Sequence, residues 1–198
     1  KAARRADPLS RMISLLLQQA LDIDGRTEEA WAEYERSKDL AGGRGVAEQL
    51  AALRMWKNAD PERVRRQFRL SIETHDVAMP VFKEILKVFD SPTAALTLLR
   101  KAFADPAYQD PTRMTFLSWW FALYGDTKLS LAAMQRAYLD LGMNPLKMLW
   151  LPVLGPTRKQ PAFKQILRDL GVVDYWRATG NWGEFARPLG DDDFEIIR

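Results

Sequence analysis

The chain has 198 residues, 47% of them hydrophobic and 28% charged, with a net charge of +3. Such a mix can bury a core, and it excludes wholesale disorder. There is no cysteine, which removes disulfides, thiolate metal sites and cysteine nucleophiles, and the one histidine, His75, leaves little room for a histidine-based metal or catalytic centre. No apolar run reaches the ~18 residues of a membrane-spanning helix. The opening Lys1-Ala-Ala-Arg-Arg reads as an internal cut in a longer protein, with neither initiator Met nor signal peptide.

Along the chain, apolar residues recur at three- and four-residue steps, as in Met12, Leu15, Leu16, then Val46, Leu50, Leu53, then Val81, Ile85, Leu86. Strand alternation and hairpin dipeptides are nearly absent. Gly, Pro and Asp break the pattern about every 15 residues. The spacing predicts helices over 8–22, 27–40, 45–58, 61–74, 77–88, 92–104, 111–124 and 127–141. Asp60-Pro61, Ser91-Pro92 and Asp110-Pro111 are predicted starts, a capping side chain followed by proline at the first helical position.

These helices pair, and the pairs repeat. With Gly25, Ala59, Asp90 and Gly125 aligned as turns, Ala30, Val64, Ala95 and Ser130 fall five residues later. Four beyond them come the bulky Tyr34, Phe68, Leu99 and Met134, and three further on the small Ser37, Ser71, Ala102 and Ala137. Residues three, four and seven apart share one helix face, and small ones let a neighbouring helix approach closely. A helix–turn–helix unit of about 34 residues with this pattern in its second helix resembles the tetratricopeptide repeat. The resemblance covers roughly residues 8–143, with the first-helix half of the motif weaker. It implies an all-α fold of about four helix pairs in a right-handed superhelix over 1–143, closed by a C-terminal cap over 144–198.

From Pro161 the chain reads PAFKQILRDLGVVDYWRATGNWGEFARPLGDDDF. Pro161, Phe163, Leu167, Leu170-Gly171, Asp174-Tyr175-Trp176 and Trp182 resemble the ending of such repeat regions in bacterial multidomain regulators. In those, the repeats follow a winged-helix DNA-binding domain or a class III adenylate cyclase domain, sometimes across a membrane helix. Ala186 stands where that family often has Cys. The resemblance implies an upstream output domain in the same polypeptide, in the cytoplasm, or in the periplasm if a membrane helix precedes. Within the cap, one amphipathic helix is expected near 161–170, followed by a less regular aromatic tail. Docking of Tyr175 and Trp176 on the last repeats is expected to cover the end of the stack.

Candidate sites follow from the register. If first helices line a concave face, Met12, Leu15, Gln19, Gln49, Leu53, Trp56, Glu84, Lys87, Thr115 and Trp119 point into a groove suited to a protein or peptide partner, or to a small ligand. Trp31, Trp120 and Trp150 read as packing. Arg54, Lys57, Arg63, Arg65, Arg66 and Arg69 form a basic patch for an acidic partner or phosphate, or simply a solvated helix face. Without interleaved aromatics the patch does not read as a nucleic-acid surface. Asp191-Asp192-Asp193 with Glu195 lacks the ligand spacing of a calcium loop and reads as an acidic tail, free or docked on the arginines. Gly42-Gly43-Arg44-Gly45 lacks the ending of a phosphate-binding loop and reads as a helix reversal. His75 reads as a helix-end cap. No catalytic set, metal site or cofactor emerges. The expected function is non-enzymatic interaction or sensing. The alternatives are a structural module that makes a homo-oligomer and a helical enzyme domain.

Overall fold

The computed structural model describes residues 6–37, 40, 65, 68, 69, 72, 80–144 and 148–197. The helices expected at 45–58 and over most of 61–74, the Gly42-Gly43 loop and His75 lie outside them. The chain divides into two compact units, Lys1–Ala102 with Lys147–Val153, and Phe103–Leu146 with Leu154–Arg198. The fold is mostly helical.

In the first unit, α1 spans Arg11–Ile23 and α2 spans Thr27–Ser37. Ser10 starts α1, its hydroxyl accepting from the Ile13 amide at 3.3 Å. Gly25 turns the chain at φ +76, a left-handed conformation that costs other residues free energy. Glu28 and Glu29 then lie in the first turn of α2, where the helix dipole favours carboxylates. The two helices pack on one another. Further along come α3, Pro80–Lys87, and α4, Pro92–Ala104.

The second unit repeats the hairpin with α5, Pro111–Leu123, and α6, Thr127–Gln135. Asp110 accepts from the Arg113 amide at 2.9 Å ahead of Pro111, as its sequence context predicts. Gly125, at φ +83, makes the turn, and Asp126 caps α6 by accepting from the Leu129 amide at 3.1 Å. Every residue of α5 from Met114 to Leu123 is buried. A helix apolar all round has no solvent face. Its hydroxyls turn inward on their own backbone, Thr115 donating to the Pro111 carbonyl and Ser118 to that of Thr115. Beyond Gln135 the helix widens into a π turn over Arg136–Asp140, rather than running on as α-helix to 141. The Met143 amide closes it on the Ala137 carbonyl at 3.0 Å, with Gly142 at φ +70.

The aligned second-helix positions share one fate. Ala30, Tyr34 and Ser37 of α2, Phe68, then Ala95, Leu99 and Ala102 of α4, and Ser130, Met134 and Ala137 of the last pair are all buried. Val64 and Ser71 lie outside the described residues. Ala102→Leu and Ala137→Leu each insert three carbons where there is no room. Each is expected to cost about 1–3 kcal/mol, read as a lower denaturant midpoint with an unchanged slope.

The C-terminal part is more regular than its sequence promises. The short helix α7, Gly155–Arg158, leads to α8, Pro161–Asp169, the expected amphipathic helix. A further helix, α9, spans Val172–Thr179 between two left-handed glycines, Gly171 and Gly180. An antiparallel hairpin follows, β1 (Ala186–Leu189) pairing with β2 (Asp193–Ile196), Pro188 opposite Phe194. Both elements correct the expectation of an irregular tail.

Candidate functional site

The expected groove residues do not share one environment. Met12, Glu84 and Lys87 are exposed, Leu15 is half-buried and Gln19 is buried. Lys87 Nζ lies 2.8 Å from Glu84 Oε1, one turn away on α3. Gln49, Leu53 and Trp56 lie outside the described residues. Thr115 and Trp119 are corrected from groove to interior: both are buried, Trp119 at 1% exposure. The reason is the composition of α5, whose apolar circumference leaves no face for solvent. Trp119 stacks edge-on against Phe116 at 5.2 Å, and Thr115 Oγ1 lies 3.0 Å from Met143 Sδ. Tyr138, buried on the π turn, has its phenol pushed up to about 12 by burial, with the Thr115 and Ser118 hydroxyls acting in the opposite direction. This cluster of hydroxyls is interior polar packing, and Thr115 belongs to it rather than to a groove. Arg158 is also buried, its guanidinium pushed down to about 10 by burial. Beside it in sequence, Thr157 reaches Ser130 Oγ at 3.2 Å. Trp31 stacks on Tyr34 at 4.8 Å and Trp120 is fully buried, consistent with packing roles.

The basic patch is visible at two positions. Arg65 is bonded to Asp90 and sits over the Phe89 ring at 5.6 Å, so it is engaged within the unit. Arg69 is exposed. Arg54, Lys57, Arg63 and Arg66 lie outside the described residues.

Of the acidic run, Asp193 docks on α8, on Lys164 and Arg168 rather than on the arginine patch. Asp193 is held by Lys164 Nζ at 2.9 Å and by Arg168 Nη2 at 3.0 Å. Both cations also lie over the Phe194 ring, at 5.3 and 5.2 Å. Phe194 in turn meets Trp176 and Trp182, which contact each other at 5.4 Å. Arg177 reaches the Asp191 carbonyl, and Arg187 pairs with Glu195 across the hairpin. Tyr175 takes no part; it is 60% exposed, against the expectation that it docks. On α9, Val173 and Trp176 point inward, three residues apart, and Tyr175 falls on the opposite side.

The hydrogen bond from Lys164 holds the Asp193 carboxyl below its ordinary value of 3.8, aided by the Phe194 amide. A carboxyl with a lowered folded-state pKa stabilises the fold above its unfolded value and loses that contribution as pH falls through the folded one. Fluorescence from the Trp176–Trp182 pair is therefore expected to be steady above pH 3.8 and to change below it. Asp193→Asn should flatten that acid-side change.

Among the described residues, no group of three or more His, Asp or Glu side chains could hold a metal ion. No described helix is long and apolar enough to cross a membrane. Comparison with protein-family models, with curated proteins and with solved structures finds no match to this chain.

Proposed function

We propose that this chain is a non-enzymatic interaction module, a short stack of tetratricopeptide-like helix pairs acting as the partner-binding part of a larger bacterial signalling or transcription regulator. One observation carries the reading: the small–bulky–small triplet recurs buried at the same register, in Ala30-Tyr34-Ser37, Ala95-Leu99-Ala102 and Ser130-Met134-Ala137. Burial of that triplet in the described second helices is what stacking of helix pairs would require, and a stack would leave first-helix side chains available to a partner. Glu84 and Lys87, exposed on α3, are the described polar members of that surface. A partner bound there would bias an attached output domain only by binding its two states with different affinity.

The test is site-specific photo-crosslinking in cells that make the full protein. A crosslinker at Glu84 or Lys87 is expected to yield discrete higher-mass adducts, and one at Tyr175 or Thr179 on α9 is not. Adducts at neither pair, or equally at both, would overturn the proposal.

A further inference from the structure

The hairpin is held by two neighbouring side chains. Of the residues on β1 and β2, only Ala186 and Phe194 are buried. Leu189 on β1 and Ile197 just past β2 are 47% and 54% exposed. A two-stranded sheet of such short strands has little stability of its own. Its place is therefore set by what Asp193 and Phe194 meet on α8 and α9. Lys164 and Arg168 lie one turn apart on α8 and make three hydrogen bonds to the Asp193 carboxylate, at 2.9 to 3.0 Å. The same two cations cover the Phe194 ring, and Trp176 of α9 meets that ring edge-on at 6.0 Å. One pair of cations thus reads a carboxylate and an aromatic ring together. The ion pair by itself contributes little at a half-exposed position, and the buried ring beside it makes the contact selective. The arm begins at Gly180 and Gly183, at φ +67 and +60, so it joins α9 through backbone that turns freely.

We propose that the hairpin is an internal pseudo-ligand. The face of Lys164, Arg168 and Trp176 is a recognition site for a partner's peptide segment in which an acidic residue is followed directly by an aromatic one. The chain's own Asp193-Phe194 keeps that site closed until such a segment arrives. The ligand chemistry is read from the resident pair, so the inference stands independently of the stacked-repeat reading. The first position needs a carboxylate because two cations converge on it. The second needs a ring because both cations and an indole face it. A basic residue at the first position would set three cations together, which costs affinity. A ligand tethered by a short linker competes at an effective concentration of about millimolar order. A free segment therefore displaces the intact hairpin weakly, and occupies the site much more readily once the tethered copy is impaired.

The probe is a short end-capped peptide of glycine and serine around a single Asp-Phe pair, with a control in the order Phe-Asp. Both are titrated into the full chain, wild type and Phe194→Ala, and followed by NMR at the tryptophan indole signals. The Asp-Phe peptide is expected to bind Phe194→Ala at least tenfold more tightly than it binds wild type. The control should bind Phe194→Ala at least tenfold more weakly than the Asp-Phe peptide does. Adding Arg168→Gln to Phe194→Ala should abolish binding without lowering the melting temperature further. Phe194→Leu keeps an apolar side chain in place, so it carries the same comparison, in smaller measure, should the alanine variant fail to fold. Four results would each overturn the proposal. Equal binding to wild type and to the variants would place the peptide elsewhere. Equal binding of both peptides would mean attraction of charge without recognition. No binding, or binding only by the complete hairpin sequence over residues 186–197, would mean a structural cap with no transferable motif. A wild-type dimer joined by exchanged hairpins would mean that the segment comes from a second copy.

Discussion

Ending the chain at Gly171 is expected to lower the melting temperature by about 10 °C, at roughly 2–4 °C per kcal/mol for a chain of this size. The truncation removes α9 and the hairpin, and with them Val173, Trp176, Ala186 and Phe194, all buried. Phe194 is fully enclosed, under Lys164 and Arg168 and against both tryptophans. Burying an aromatic side chain removes about 150–250 Å² from water, worth about 4–6 kcal/mol before ordering of the segment offsets part of it. The ion pairs to Asp193 are half-exposed and add little of their own; they set where the hairpin lies. Phe194→Ala isolates the aromatic contribution, with an expected loss of about 3–5 kcal/mol. Binding of an apolar dye by the truncated chain should rise as α8 loses its cover. A truncated chain that melts like the full one would show that the tail contributes nothing to the fold.

Trp119→Ala is expected to cost about 3–5 kcal/mol, the loss typical of a large aromatic removed from a packed interior. A tryptophan lining an open groove would cost much less, so this substitution separates the two locations directly. Trp119 Nε1 has no hydrogen-bond partner among the described residues. Trp119→Phe removes that unsatisfied donor and leaves a smaller void, so it should cost less than the alanine change. Equilibrium urea unfolding of both variants provides the comparison. A loss near 1 kcal/mol for Trp119→Ala would return the residue to the surface.

Helix positions were legible where local chemistry sets them. Asp110-Pro111 starts α5 because a carboxylate caps and a proline fits the first turn whatever lies beyond. Gly25 and Gly125 turn the chain because a left-handed residue is needed there. The burial of Ala95, Leu99 and Ala102 followed from spacing alone, since three, four and seven define a helix face. The hairpin was only weakly legible. Ala186-Arg-Pro-Leu189 and Asp193-Phe-Glu-Ile196 are too short to show a period, and the glycine in the three-residue loop Gly190-Asp-Asp is the one hairpin signal there.

Which face of a helix is inside was decided by tertiary structure. For α5, ten consecutive buried residues erase the face that the repeat register assigned to Thr115 and Trp119. For α1, the polar Ser14 and Gln18 lie inward, because Arg36 and Ser37 on α2 bind them. The acidic run likewise could not choose its cations from sequence: Asp193 meets Lys164 and Arg168 only because the hairpin folds back on α8. Caps, turns and spacing act over at most a few residues, and the sequence determines them. Burial and charge pairing depend on residues 20 or 30 positions away, and only the folded chain brings those together.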